Sequence, residues 1–234
     1  MIISTSQPYF SPFPDLFLKA FLSDIFIILD DVQFPRGTTW LTRNRFKNDQ
    51  GILWMTIPVW KKGLGLQKIN EVKICREGRW PQKHLTSFKS AYIKSPYLED
   101  HMDFLETIFS SKFEKLIDLN LTILIYIMKH LKIFKKVILH SELGIKSTGN
   151  DLLIDICKKI GADSFLAQKP AKRYLDADLF GTAGIKLKFF NPSSLVYPQL
   201  WGDFIPNLSA FDLIFNCGPK AHDILTANQK CLFS

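Results

Sequence analysis

Ile2-Ile3-Ser4-Thr5-Ser6, then Pro12-Phe13-Pro14-Asp15 opening an apolar stretch from Leu16 to Leu22, then Ile25-Phe26-Ile27-Ile28-Leu29 halted at Asp30-Asp31: this opening stretch decides the fold. The first apolar run has the length of a strand. Ser11 offers a capping hydroxyl, proline stands in the first helical turn, and Asp15 complements the positive helix end, so a helix starts here. The run from Ile25 is continuous and β-branched, which predicts a strand buried on both faces. Two buried runs joined by one helix of roughly ten residues form a βαβ unit with adjacent parallel strands.

That unit says where to look for chemistry, because ligands in open parallel sheets bind beyond the carboxyl ends of the strands. The first strand delivers Gln7-Pro8-Tyr9 there, and the second delivers Asp30-Asp31-Val32-Gln33. The helix between them points its amino end into the same crevice, a natural seat for an anion. No glycine lines this loop, which excludes a P-loop and a G-x-G-x-x-G dinucleotide site.

Outward from the unit, Phe34 to Phe46 is rich in Arg, Asn, Thr and Trp and reads as an irregular loop over the site. Ile52–Val59 and Ile69–Ile74 are β-rich runs joined by Trp60 to Leu66, which predicts a long hairpin. Helical patterns run from Trp80 to about Lys94 and from about Leu98 to Leu131, interrupted near Ser110-Ser111. Lys136–His140 returns to strand character, followed by a helix capped by Asn150 or Thr148 and stopped by Gly161. Ser164–Ala167 and Ile185–Phe190 are further strands with a short helical stretch at Ala171–Phe180 between them, and Leu208–Asn216 and Pro219–Ala227 close the chain as helices. The expected architecture is α/β: a Rossmann-like parallel sheet core over about 1–50 and 135–234, with a β-hairpin insertion and a helical lobe over about 51–134, all in one domain.

A chain of 234 residues that is 47% hydrophobic can bury a sizeable core. Its longest apolar stretch, Leu121 to Met128, is far short of the roughly 20 residues a spanning helix needs, and the start of the chain has no basic leader, so a cytoplasmic protein is expected. The net charge of +8 suits a phosphorylated or nucleotide-linked small molecule. No RNP, helix-turn-helix or zinc-finger signature accompanies it, which argues against nucleic acid. Cys75, Cys157, Cys217 and Cys231 stand singly among scattered histidines, so neither a zinc site nor a catalytic thiol is assigned.

Gln7-Pro8-Tyr9-Phe10-Ser11-Pro12, Leu29-Asp30-Asp31-Val32-Gln33-Phe34, Trp40 with Arg43-Asn44-Arg45, and Phe211-Asp212-Leu213-Ile214-Phe215-Asn216-Cys217-Gly218 together resemble the hallmark blocks of the WbqC-like family. The likeness spans roughly residues 3 to 218. It departs at Ala167-Gln168, where relatives commonly carry Ser-Gly, and at Pro14-Asp15-Leu16-Phe17. The resemblance implies a bacterial setting in O-antigen and related surface-polysaccharide biosynthesis, and a transferase or sugar-modifying enzyme acting on nucleotide-activated amino sugars. A non-catalytic scaffold of a polysaccharide-assembly complex is the alternative. The opening layout is also similar to pantothenate-synthetase-like and nucleotidylyltransferase-like folds, whose His-x-Gly-His signature this chain lacks.

Asp30 follows an apolar strand at the expected crevice, where it can act as a general base, with Asp31 beside it. Arg43 and Arg45 flank Asn44 and, if extended, share one face suited to a phosphate or carboxylate. Trp40 offers a plate for a base or sugar ring. Gln7, Tyr9, Tyr197 and Gln199 are neutral hydrogen-bonding groups beside prolines. Gln33 and Tyr174 join them as binding candidates, and His84, four residues after Trp80 on a helix, is a second proton carrier. No metal-ligand spacing occurs, and the sequence sets neither a cofactor nor an oligomeric state.

Overall fold

A computed structural model describes residues 1–192 and 195–227. Strand β1 (Ile2–Ser6), helix α1 (Pro14–Phe21) and strand β2 (Ile25–Ile28) form the expected βαβ unit, with Ile3 beside Ile25 and Ser6 beside Ile28 in parallel register. A two-stranded antiparallel hairpin follows, β3 (Arg43–Asn48) and β4 (Gly51–Thr56), then helices α2 (Trp80–Tyr92), α3 (Met102–Ser110) and α4 (Leu116–His130). The α/β alternation resumes with β5 (Lys136–Leu139), α5 (Gly149–Ile160), β6 (Ser164–Gln168), α6 (Ala177–Thr182) and β7 (Lys186–Phe190), and α7 (Ala210–Cys217) and α8 (Ala221–Thr226) come last.

The five parallel strands lie in the order β5-β2-β1-β6-β7. The chain therefore moves outward from β1 to one side, then crosses back to β6 and moves outward on the other. β1 and β6 flank the topological switch point, and the crevice beyond their carboxyl ends is where such sheets bind ligands. Alternation divides the core: Phe26, Ile28 and Leu166 pack on one face with α1 and the lobe, whereas Ile3, Ile27 and Phe165 pack on the other with α5. Among the described residues no helix is long and apolar enough to cross a membrane.

Two local expectations are corrected. The hairpin is formed by Arg43–Asn48 and Gly51–Thr56, not by Ile52–Val59 with Ile69–Ile74; Ile69–Glu71 is a 3-10 turn, and only a single bridge joins Val59 to Ile74. The loop expected up to Phe46 is thus half strand, because Asn44 and Phe46 turn into the core while Arg43 and Arg45 point the other way, an alternation hidden by the charges. Ser11 does not cap α1. Helix α1 begins after Phe13 without a side-chain cap, and Ser11 is buried at φ 45° with its carbonyl held by Asn44 Nδ2 at 2.6 Å. At the other expected helix start, Thr148 is the residue before α5, its side chain makes no capping bond, and Gly161 closes the helix as expected.

Candidate functional site at the carboxyl edge of the sheet

Two chambers open along the carboxyl edge of the sheet, and Gln7, at the end of the central strand β1, lines both. The first, about 600 Å³, lies at the switch point. Its floor is Thr5, Ser6 and Gln7 from β1 with Gln168 from the end of β6; α1 contributes Asp15 and Lys19; Tyr9, Trp40 and Arg45 close the outer side. The second, about 810 Å³, lies towards β2 and β5 and is walled by Asp31, Gln33, Lys68, His140 and the start of α5.

Chemistry gathers in the first chamber. Lys19 and Asp15 are one helical turn apart on α1, so both side chains face the same way. The Lys19 side chain is half-buried and its ammonium donates to the Thr5 carbonyl at 2.7 Å. Burial without a counter-ion brings it down to about 8. Burial alone likewise pushes Asp15 and Tyr9 above their ordinary ranges. Arg45 donates through Nη2 to the Asn207 carbonyl at 2.8 Å, while its buried Nε has no partner. The guanidinium lies 5.8 Å from the Trp40 ring, and Trp40 stacks on Trp54 at 5.6 Å between centroids. Arg43 covers the other face of that pair at 3.8 Å from the Trp54 ring. A cation–π ladder thus holds one aromatic plate at the mouth of the chamber.

Residues 7–224 match the profile of the WbqC-like protein family. The chain belongs to that family. A WbqC-like relative is an uncharacterized protein of Mycobacterium tuberculosis, 30% identical over 226 residues that cover 95% of this chain and 96% of the relative. No solved structure matches the chain.

Among the candidates read from the sequence of this WbqC-like chain, the structure brings Gln7, Tyr9, Trp40 and Arg45 into the first chamber and Asp31 and Gln33 into the second. Others serve the protein itself. Asp30 is buried and accepts from the Ser141 amide at 2.9 Å and the Ser141 hydroxyl at 2.6 Å, tying the end of β2 to the turn after β5. Asn44 gives both amide hydrogens to the Phe10 and Ser11 carbonyls. Gln199 bonds both ways to the Ile205 backbone. His84 donates through Nε2 to the Thr56 carbonyl at 3.1 Å, and burial lowers it to about 4, so it is neutral near pH 7. Tyr174 is exposed beside Arg173. Asp30, Asn44, His84, Tyr174, Tyr197 and Gln199 line neither chamber. Lys19 had no mark in the sequence, Gln168 stood out only in the departure at Ala167-Gln168, and Asp15 read only as a helix-end acid; for Asp15 and Lys19 the available signal was their placement, i and i+4 on the helix between two strand ends.

No three His, Cys, Asp or Glu side chains gather to hold a metal among the described residues. Cys157 and Cys217 are buried, which pushes their thiols up to about 12 and about 11, while Cys231 lies outside the described residues.

Beneath the hairpin lies a buried polar knot. Asp212 on α7 accepts from the Tyr92 hydroxyl at 2.9 Å, and that hydroxyl accepts from the Lys47 amide at 3.1 Å. Tyr197 and Lys47 also face the carboxylate. Desolvation wins over these partners and holds Asp212 at about 6. A carboxylate raised in the fold stabilises most below its unfolded value, and that contribution falls away as pH rises through about 6. Wild type should therefore lose about 3 kcal/mol at most relative to Asp212→Asn between pH 4 and pH 7. Urea unfolding at the two pH values checks it; parallel curves for the two proteins would refute the buried carboxylate.

Proposed function

We propose that this WbqC-like chain is a sugar-modifying transferase that binds a nucleotide-activated amino sugar in the first chamber and works on its amine. The observation that carries this reading is the meeting of a half-buried lysine without a counter-ion, a half-buried aspartate, an arginine with an unpartnered Nε and a tryptophan plate at the switch point of a parallel sheet. Each has a part that its chemistry allows. Trp40 seats a ring, and Arg45 takes a phosphate or carbonyl oxygen with its free Nε. Asp15 or neutral Lys19 receives the proton that the amine sheds as its nitrogen bonds to the acyl carbon of a donor. The bond from that carbon to its leaving group breaks with the electron pair leaving on the latter. A lysine brought down to about 8 has a neutral fraction near pH 7 that can take that proton, and burial moves the Asp15 carboxyl upward in the same direction as its role requires.

Incubating the purified protein with nucleotide-linked amino sugars and acyl donors should give a mass-shifted product, and calorimetry should register binding of the nucleotide sugar alone. Arg45→Ala should weaken that binding by about 10- to 100-fold, the worth of one charged hydrogen bond. Unchanged affinity in the variant would remove the anion-binding part, and binding without any product would favour a non-catalytic assembly role.

A further inference from the structure

We infer that the second chamber is a separate ligand site for a phosphorylated sugar, free or within a nucleotide, with the phosphate at the amino end of α5 and a hydroxyl on His140. The two halves of that ligand are called for by independent features. Helix α5 runs for 12 residues, long enough for its amide dipoles to add at the first turn. The Thr148 side chain makes no capping bond there, so it does not satisfy the first amides of the helix. Gly149 presents an open backbone, with nothing within 4 Å of where a Cβ would stand. Lys146 and Lys68 add positive charge on either side, and the one acid on the wall, Asp31, is already held by Lys68 at 2.7 Å and Asn70 at 3.3 Å. The chamber can thus take an anion at its α5 end.

His140 supplies the second half. His140 lines the chamber yet is only 3% exposed. Nε2 lies 3.1 Å from the Ile145 carbonyl, and a carbonyl only accepts, so Nε2 carries a hydrogen and, in the neutral ring, Nδ1 has the lone pair. Nδ1 is buried and has no partner. A lone pair asks for a donor, which a sugar hydroxyl offers and a fully deprotonated oxyanion such as sulfate does not. This site stands whether or not the first chamber performs the proposed transfer, since only Gln7 is shared between them.

The test is a titration of the full chain with inorganic sulfate, ribose 5-phosphate and uridine diphosphate, followed by the backbone amides and the histidine ring signals in NMR. All three should move the Gly149 and Asn150 amides, whereas only the two sugar-bearing ligands should move the His140 ring. Lys146→Glu, at an exposed position, should weaken all three by about tenfold or more, the worth of one charged contact reversed. His140→Phe should spare sulfate and abolish the preference for ribose 5-phosphate. Silence of the α5 amides at millimolar ligand, or equal binding by Lys146→Glu with an unchanged melting temperature, would overturn the site. An equal response to sulfate at His140 would overturn the sugar assignment.

Discussion

Replacing Gly218 by alanine is expected to cost about 3–5 kcal/mol, most of the stability that a marginal fold possesses. Gly218 ends α7 at φ 47° and ψ −125°, a conformation that a side chain resists. Space is missing as well: an added Cβ would lie 2.6 Å from three ring carbons of Tyr97. That ring has little room to retreat, because the Tyr97 amide is bonded to the Phe215 carbonyl and the neighbouring Ser95 hydroxyl to Asn216. The segment between α2 and α3 is thereby laid flat against the end of α7. Urea unfolding of Gly218→Ala and of Gly218→Ala with Tyr97→Ala separates the two causes, since the second change relieves the clash but not the backbone strain. Gly149→Ala, also at positive φ but facing open space, should cost only about 1 kcal/mol. A loss below that in Gly218→Ala would mean that the Tyr97 contact is slack.

The sheet was legible because its strand β2 is apolar on both faces and the strands are punctuated by prolines, glycines and paired acids; Ile25–Leu29 admits no other reading. The hairpin was not. Its first strand reads Arg43, Asn44, Arg45, Phe46, Lys47, and Lys47 is buried with its ammonium on the Asp203 carbonyl at 2.6 Å. A lysine that is spent inside the protein looks, in sequence, like a lysine in water. The same ambiguity runs through the site. Gln7 and Gln199 both stand beside prolines, yet one faces two chambers and the other closes a loop on Ile205. Asp30 and Asp15 are both acids at element ends, and only the second lines a chamber. What decides is which backbone groups remain unpaired nearby, a property of chain segments far apart in sequence.

Lys19→Met should lower turnover by about 100-fold or more while leaving the fold as stable as before or more so, provided Lys19 carries the proton in the proposed transfer. Enclosing an ammonium without a counter-ion is unfavourable, and its fall from 10.5 to about 8 measures how unfavourable. That shift corresponds to about 3 kcal/mol at most at pH 7, against which stands the one hydrogen bond to Thr5. Methionine keeps the length of the stem and removes the charge, so structure gains what chemistry loses. The sign with pH is fixed. A lysine lowered in the fold penalises the folded state below about 8, and the penalty is relieved as pH rises towards the unfolded value of 10.5. Wild type should therefore gain stability on Lys19→Met between pH 7 and pH 10, and its turnover should rise through pH 8 as the amine loses its proton. Melting temperatures across that range, measured beside product formation, check both halves. A variant that melts lower at pH 7 and still turns over would make Lys19 a strut between α1 and β1, and the proton would have to pass through Asp15.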